Sequence, residues 1–326
     1  MVSGKGHKLF CVAGTTLALM IFFPLSALGQ TYPDKPIAIY CGYAAGASTD
    51  MTARALASGA EKLLGVPVVV ENKPGGSTTV CAALVANKKP DGYSLGVLSE
   101  GALTVNPHLQ KVAYDPLKDF TYLSYYAHYL GVVVVHKDSP LKTIEEFIAY
   151  AKANPGLSYS STGMYTRQHL ALELFIECKG LTFKHVPTKG ASEASNILLG
   201  KHCDFSIGSS QIIYVKQGLF RLLMLVNAAK RNPLYPDVPI PKDFGCPDVP
   251  PAGLIVVGPK GIPPTICKKL GDVFKKVTEE PAFQKVLVSF DIPYDYKDQA
   301  EMQKKIPADY HMYEDLLKRM GAKKVN

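Results

Sequence analysis

The stretch Cys41-Gly42-Tyr43-Ala44-Ala45-Gly46-Ala47-Ser48-Thr49-Asp50 connects an apolar, β-branched segment to a segment with helical spacing. The preceding residues 36–40 predict a first strand, and the apolar residues that follow, through Leu64, recur at the spacing of one helix face. Backbone N–H groups at such a helix start are unpaired and carry partial positive charge, so the loop can hold an anion. Ser48 and Thr49 add hydroxyl donors. The alternative is that these polar residues only cap the helix.

The order of strand, polar loop and helix recurs along the chain. Further strands are predicted at residues 66–72, 93–98, 132–136, 157–160, 183–187, 204–210 (ending in a polar loop) and 254–257. Helices are predicted near residues 78–86, from the capping box Thr143-Ile144-Glu145-Glu146 to residue 151, at 167–179, around 194–198, and at 263–278, 281–289 and 299–320. This alternation predicts a doubly wound α/β fold rather than an all-β protein or a helical bundle.

Other small, polar loops follow predicted strands. They are Ser99-Glu100-Gly101-Ala102, Ser161-Thr162-Gly163-Met164-Tyr165-Thr166 and the loop that contains Ser209. The second of these precedes the helix at 167–179 and repeats the chemistry of the first loop. Because open α/β sheets bind ligands at the carboxyl ends of their strands, two such helix starts predict a ligand held between two lobes. Lys189 either donates to a carboxylate or is a solvated lysine near a helix start.

Two α/β lobes joined by two strands are the predicted architecture. The continuous apolar strands at residues 132–135 and 254–257, taken together, make two crossings between the lobes, as a hinge requires. Lobe I is predicted to comprise residues 30–130 and 255–326, and lobe II residues 131–254. The proline-rich residues 233–251 are predicted to be a surface connection.

The first 29 residues have the pattern of a secretory signal peptide. Lys5 and Lys8 form a basic start, residues 9–25 an apolar run, and Ala27-Leu28-Gly29 a small-x-small cleavage pattern before Gln30. The alternative is an uncleaved membrane anchor, since the run approaches spanning length. No later segment is apolar enough to span a bilayer, which predicts an exported, soluble protein.

Composition argues against several other classes. The net charge of +8 is spread along the chain without a basic stripe interleaved with aromatic residues, which argues against nucleic-acid binding. The cysteines after Cys11 lack C-x-x-C spacing, which argues against zinc or thioredoxin chemistry, and most of them are predicted to be buried free thiols, although an exported protein permits disulfides. His185 and His202 lack ligand spacing, so no metal and no cofactor are predicted.

From Tyr32 almost to its end, the chain resembles the solute-binding proteins of tripartite tricarboxylate transporters, the Bug or TctC family. Each motif that carries the resemblance is short, and together they are specific in their order and spacing. The motifs are Tyr32-Pro33-Asp34-Lys35-Pro36-Ile37, residues 65–76 (GVPVVVENKPGG), Pro90-Asp91-Gly92-Tyr93, Asn106-Pro107, Tyr114-Asp115-Pro116-Leu117-Lys118-Asp119-Phe120, Val186-Pro187-Thr188-Lys189-Gly190 and Tyr235-Pro236-Asp237-Val238-Pro239.

The resemblance implies a periplasmic protein of the Venus-flytrap type, similar to type II periplasmic binding proteins, with two Rossmann-like lobes and two hinge strands. It implies a monomer that closes on a small organic carboxylate and delivers it to a membrane permease. The family's carboxylate-holding loops match residues 43–50 and 160–169, and residues 99–103 line the same cleft. The candidate ligand-binding residues are Tyr43, Ala47, Ser48, Thr49, Asp50, Ser99, Glu100, Ala102, Ser161, Thr162, Thr166, Arg167, His169, Lys189, Ser206 and Ser209.

Three positions depart from the family pattern. The first loop has Ala44-Ala45-Gly46-Ala47 where the family is richer in proline and glycine, and Glu100 and Arg167 stand where small residues are usual. Glu100 would repel a second carboxylate or select a ligand with an amine or hydroxyl. Arg167 would pair with a distal carboxylate, favouring a dicarboxylate or an aromatic acid. Alternatively, the two side chains pair with each other across the cleft.

Two rival classes remain at this point. Ser139-Pro140-Leu141-Lys142 fits the S-x-x-K pattern of some hydrolases, yet it lies in a proline-broken loop without companion motifs, so an enzyme is not expected. A ligand-sensing subunit for a membrane receptor kinase would use the same closed lobes, and the sequence does not separate sensing from transport.

Overall fold

The computed structural model describes residues 1–2, 4, 32–188, 190–228 and 230–324. Cys11, Lys189 and nearly all of the predicted signal peptide therefore lie outside the described residues. The strands are β1 (Ile37–Cys41), β2 (Val68–Asn72), β3 (Ser94–Ser99), β4 (Phe120–Tyr129), β5 (Gly131–His136), β6 (Leu157–Ser161), β7 (Phe183–Pro187), β8 (Phe205–Gly208), β9 (Phe220–Val226), β10 (Ala252–Pro259) and β11 (Tyr294–Lys297).

The helices match most of the predicted positions. They are α1 (Ser48–Leu64), α2 (Thr79–Ala86), α3 (Gly101–Thr104), α4 (Asn106–Leu109), α5 (Ile144–Ala153), α6 (Arg167–Lys179), α7 (Ala191–Leu199), α8 (Ile212–Lys216), α9 (Pro264–Glu279), α10 (Pro281–Ser289) and α11 (Gln299–Arg319), with 3₁₀ turns at Gly76–Thr78 and Pro241–Phe244. No helix in the described part of the chain is both long enough and apolar enough to cross a membrane.

Two mixed sheets form the cores of two lobes, as the alternating pattern predicted. The sheet of lobe I has the order β11-β4-β10-β3-β1-β2, in which β1 runs parallel to β2 and β3 while β10 runs antiparallel between β3 and β4. The sheet of lobe II has the order β7-β6-β8-β5-β9, in which β6 runs parallel to β7 and β8. Apolar side chains such as Ile39 and Val133 are fully buried against helices.

The crossings between lobes differ in detail from the prediction. The two apolar strands expected to make them, β5 and β10, each lie within one sheet: β5 pairs with β8 and β9 in lobe II, and β10 pairs with β3 and β4 in lobe I. The chain crosses just before each of them, at Leu130 and through residues 227–251. The continuous apolar runs of β5 and β10 reflect burial on both faces of a sheet. A segment that crosses between lobes is not buried in this way, so an apolar run does not mark a crossing.

The last helix is a third connection between the lobes. The N-terminal half of α11 packs Met302 and Ile306 against the core of lobe I. The C-terminal half packs Tyr313, Leu316 and Leu317 into the core of lobe II. The predicted boundary assigns residues 255–326 wholly to lobe I, and it would separate the second half of α11 from the lobe II core against which it packs. A helix of 21 residues is long enough to reach both cores.

The cysteines are mostly buried thiols, as predicted. Cys41, Cys81, Cys203 and Cys267 are free and buried. A disulfide joins Cys178 of α6 to Cys246, which follows the 3₁₀ turn at Pro241–Phe244. Within the described residues there is no group of three or more cysteine, histidine or acidic side chains that could hold a metal ion.

Candidate functional site

A cavity of about 400 Å³ opens between loops of the two lobes. Lobe I contributes Tyr43, Ser48, Ser77, Ser99, Asn106 and Tyr129, and lobe II contributes Thr162, Tyr165, Thr166, Arg167, Gln168, Ser209 and Ser210. Met164, Val105 and Leu109 add apolar surface. Most of the residues that line the cavity therefore carry hydroxyl or amide groups, although much of the lining surface is apolar, and its size suits a small organic molecule.

The start of α1 forms the lobe I wall. The residue before it, Ala47, is extended and has no side chain that can cap the helix. Its carbonyl accepts the first bond within the helix, from the Met51 N–H at 3.0 Å. The hydroxyls of Ser48 and Thr49 both contact the Tyr129 hydroxyl at the end of β4. The N–H groups of the first turn have no intrahelical acceptor, so this end of the helix attracts an anion.

Asp50 fixes the shape of this loop from behind the cavity. Its carboxylate accepts from the Gly46 N–H at 2.9 Å, the Arg54 Nε at 3.0 Å and the Asn72 Nδ2 at 2.7 Å. Burial opposes ionisation, but these hydrogen bonds keep the pKa of Asp50 below its usual range. Because Arg54 offsets the negative charge, the helix start remains able to receive a ligand carboxylate.

The start of α6 forms the opposite wall in lobe II. Unlike α1, this helix is capped: the Thr166 hydroxyl accepts from the His169 N–H at 3.3 Å. Ser161 is buried, and its hydroxyl lies 2.7 Å from His185 Nε2. The loop between Ser161 and Thr166 thus reaches the cavity through Thr162, Tyr165 and Thr166 while its base is fixed inside the lobe.

Glu100 and Arg167 pair with each other, which is the last of the three roles that the sequence left open. Arg167 Nη1 lies 3.5 Å from Glu100 Oε2, and Lys305 Nζ lies 2.6 Å from Glu100 Oε1. Glu100 is fully buried and is not among the residues that line the cavity. Burial opposes its ionisation, and Arg167 and Lys305 outweigh that effect, so the pKa of Glu100 lies below its usual range.

Arg167 is bound on its other sides as well. Its Nη2 donates to the Thr104 hydroxyl at 2.5 Å, and its Nη1 donates to the Pro251 carbonyl at 2.8 Å. The guanidinium also stacks over the ring of Tyr313 on α11 at 4.7 Å. This one side chain of lobe II therefore contacts lobe I, the second crossing and the last helix at once.

The structure brings seven of the predicted site residues to the cavity and places most of the others behind it. Those that line it are Tyr43, Ser48, Ser99, Thr162, Thr166, Arg167 and Ser209. Those buried outside the lining are Thr49, Asp50, Glu100, Ala102, Ser161, His169 and Ser206. Ala47 precedes α1 and is partly exposed, and Lys189 lies outside the described residues.

Sequence reasoning missed several lining residues. They are Ser77, Asn106, Tyr129, Tyr165, Gln168 and Ser210, of which Tyr165 lies in a loop that was predicted to line the site without being named itself. Tyr129 is the last residue of β4 and Asn106 the first of α4, two elements that no sequence pattern predicted. Asn106-Pro107 is one of the motifs of the family resemblance, and it was the one signal that pointed to Asn106.

Two α/β lobes with a cavity between them are the architecture of solute-binding proteins that close around a ligand. The family model described as "Tripartite tricarboxylate transporter family receptor", TctC, matches residues 52–322, and the chain belongs to that family. Its members are periplasmic solute-binding receptors of tripartite transporters. The "UPF0065 protein in gbd 5'region" of Cupriavidus necator is 41% identical over 288 residues, covering 87% of each chain.

Solved structures with the same fold include other members of the family. A TctC solute-binding protein from Polaromonas, without ligand, is 28% identical with a TM-score of 0.77, covering 89% of this chain and 100% of its own. The R. palustris protein Rpa4515, solved with adipate, is 25% identical with a TM-score of 0.75, covering 90% of this chain and 100% of its own. The resemblance predicted from short motifs is confirmed.

Proposed function

We propose that the protein captures one small organic carboxylate in the cavity and, as a monomer, delivers it to the membrane subunits of a tripartite tricarboxylate-type transporter. The observation that carries this proposal is the meeting of two helix starts, those of α1 and α6, on opposite walls of one cavity of about 400 Å³. The first-turn N–H groups of α1 have no side-chain cap, so an anion beside them would be stabilised, whereas at the start of α6 the His169 N–H is already bound to Thr166.

Neutral donors hold the carboxylate in this proposal. Of the described residues that line the cavity, only Arg167 carries a formal charge, and its guanidinium is bound to Glu100 and to backbone carbonyls. A buried carboxylate is tolerated when its lone pairs are satisfied by hydrogen bonds. The first-turn N–H groups of α1, with the hydroxyls of Ser48 and Ser99, supply such donors without a salt bridge.

An aromatic acid with one carboxylate is the favoured ligand. The sequence favours a dicarboxylate or an aromatic acid on the ground that Arg167 binds a distal carboxylate, and the Glu100 contact occupies that side chain. The rings of Tyr43, Tyr129 and Tyr165 line the cavity and offer stacking and edge contacts to an aromatic ligand. Because Rpa4515 was solved with adipate, dicarboxylates belong in the same test.

Export through a cleaved signal peptide completes the proposal. The basic start, the apolar run and the Ala27-Leu28-Gly29 pattern support cleavage before Gln30. N-terminal sequencing of the protein from a periplasmic extract should begin at Gln30. A chain that retains residues 1–29 in the membrane fraction would contradict export in this form.

A thermal-shift screen of residues 30–326 tests the binding function. The panel contains benzoate, 4-hydroxybenzoate, succinate, adipate, citrate and glutamate, and native mass spectrometry first shows whether a ligand is already bound. A ligand present at 100 times its dissociation constant stabilises the native state by about 2.7 kcal/mol, so its melting temperature must rise. We expect the largest rise with an aromatic acid, and ligand-free protein that responds to no carboxylate would overturn the proposal.

The lobes should close around the ligand. A ligand shifts an open–closed equilibrium only by its differential affinity for the two states. X-ray scattering should therefore give a smaller radius of gyration with the carboxylate that raises the melting temperature most. Superimposable curves with and without that ligand would contradict closure while leaving binding intact.

A further inference from the structure

The wall of the cavity in lobe II has an unfavourable backbone conformation at Tyr165. This residue lines the cavity and has φ of +56°, in the left-handed region that a residue with a Cβ rarely adopts. Gly163, two residues earlier, has φ of +144°. A loop with this conformation needs a specific contact to hold it, since the chain would otherwise relax to a common one.

That contact comes from His169, in the first turn of α6. The Tyr165 N–H donates to His169 Nδ1 at 3.1 Å. An accepting Nδ1 has a free lone pair, so the imidazole is neutral and its proton is on Nε2. Nε2 lies 3.6 Å from Glu173 Oε1, a partner of the correct polarity for that proton.

A stack of rings fixes the plane of this imidazole. His169 stacks on His185 with ring centroids 4.3 Å apart, and His185 stacks on Tyr159 at 4.7 Å. The same His185 contacts the Ser161 hydroxyl, which in turn bonds to Gly163. Two adjacent imidazoles thus hold the two ends of the loop, Ser161 on one side and Tyr165 on the other.

We propose that His169 is a positioning residue of the ligand site, whose Nδ1 lone pair holds the Tyr165 amide and with it the shape of the cavity wall from Gly163 to Thr166. His169 is buried and does not line the cavity, so it acts through Tyr165 and not by touching the ligand. The proposal rests on the proposed function in one respect, that the wall it shapes receives a carboxylate.

The groups that face His169 agree with a neutral imidazole. They are Glu173 on its own helix, His185 on β7, Tyr159 on β6 and the Tyr165 ring. Burial, and secondly His185, lower the pKa of His169 to about 3, so Nδ1 keeps its lone pair throughout the neutral range. A proton on Nδ1 would place two N–H groups against each other and release the loop.

Two amide substitutions separate positioning from mere packing. His169→Asn places an acceptor one bond beyond Cγ, where Nδ1 stands, whereas His169→Gln carries the same amide one methylene further out. His169→Phe keeps a ring in the stack and has no acceptor. Glu173→Gln is the matched control, because it leaves Nδ1 free to accept from Tyr165.

Hydrogen exchange of the Tyr165 amide is the first measurement, on residues 30–326. We expect exchange to rise at least tenfold in the Gln and Phe variants, which corresponds to about 1.4 kcal/mol of lost protection, and to stay near wild type in the Asn variant and in Glu173→Gln. Unchanged exchange in both the Gln and Phe variants, or equal loss in the Asn and Gln variants, would overturn the proposal.

Titration with benzoate and with adipate is the second measurement. Affinity for whichever of them binds the wild-type protein should fall in the Gln and Phe variants, and the Asn variant should remain closest to wild type. Equal affinity in the Asn and Gln variants would overturn the positioning role. If neither probe binds wild-type protein, the proposed function loses support, while amide exchange still decides whether His169 holds the loop.

Discussion

The two walls of the cavity use the same structural unit, a polar loop before a helix, in different ways. In lobe I the residue before α1 is Ala47, which has no capping side chain, and the nearby hydroxyls bond to Tyr129 of another strand. In lobe II the residue before α6 is Thr166, which caps its own helix, and the loop is bound to the buried His169 and the partly buried His185. The first wall leaves its N–H groups available, and the second uses some of its donors to fix its shape.

We propose that this difference gives the two walls separate tasks. An available helix start favours the charged end of a ligand, so the α1 wall should receive the carboxylate. The lobe II wall, which presents Tyr165 and Thr162, should then select the shape of the rest of the ligand. Four predictions, ordered by the size of the expected effect, test this division.

The largest effect should follow Arg167→Ala, which removes the link between the lobe II wall and lobe I. Glu100 would remain fully buried and would lose Arg167 as one of its two cationic partners. Breaking one side of a buried ion pair costs about 3–5 kcal/mol, and chemical denaturation should show a loss of that order.

An exposed ion pair on α11 provides the control for Arg167→Ala. Lys318→Ala breaks the contact with Glu314 at the surface and should leave the denaturation midpoint unchanged. A stable Arg167→Ala variant that loses affinity for adipate and keeps it for benzoate would show instead that Arg167 binds a second ligand carboxylate.

As the pH falls, the lobe II wall should lose its contribution to stability at a higher pH than the lobe I wall does. The pKa of His169 is lowered from 6.5 to about 3, so the unfolded chain binds a proton below pH 6.5 that the folded protein does not, and stability falls as the pH drops from 6.5 towards 3. Asp50, whose pKa is lowered from 3.8, adds its loss only near and below that value.

Denaturation of wild type and His169→Phe between pH 7 and pH 4 measures this contribution. One proton is worth up to about 1.4 kcal/mol per pH unit, and the variant should have the shallower acid slope. Groups such as His128, whose burial lowers its pKa to about 4, are common to both proteins and cancel in the difference. Parallel curves would show that His169 does not resist protonation.

Removal of the cap in lobe II should have a moderate effect. Thr166→Ala deletes the acceptor of the His169 N–H and should lower the unfolding free energy by about 1 kcal/mol. Ala47→Gly, at the same position in lobe I, removes no cap and serves as the matched substitution. Equal losses at the two positions would contradict the difference between the walls.

Adding a cap in lobe I should have the smallest effect on stability and an informative effect on binding. Ala47→Ser supplies a hydroxyl that accepts from the first turn of α1, so the helix gains about 0.5–1 kcal/mol while the carboxylate loses a donor. Calorimetric titration should show affinity reduced about threefold, with Ala45→Ser as the exposed control. Unchanged affinity would mean that the carboxylate binds elsewhere.

Strong local signals explain the elements that the sequence predicted. Half of the capping box predicted at Thr143 is present, as a bond from the Glu146 N–H to the Thr143 hydroxyl at 3.2 Å, while the Glu146 carboxylate accepts from the Lys142 N–H. The predicted bounds of α6 are those observed. β4 was missed because its sequence, FTYLSYYAHY, mixes aromatic and polar residues. Most of this strand is buried on both faces, so no alternation of period two marks it.

What the sequence determined by itself is the order of strands, loops and helices, and hence that Ser48, Ser99 and Thr162 lie at or beyond the carboxyl ends of strands. Those features depend on neighbours within a few residues. Only the tertiary structure decided that Arg167 pairs with Glu100 and that Tyr129 reaches the start of α1. These contacts join positions far apart in the chain, and they depend on how α11 and the crossings pack the two lobes together, which no local pattern encodes.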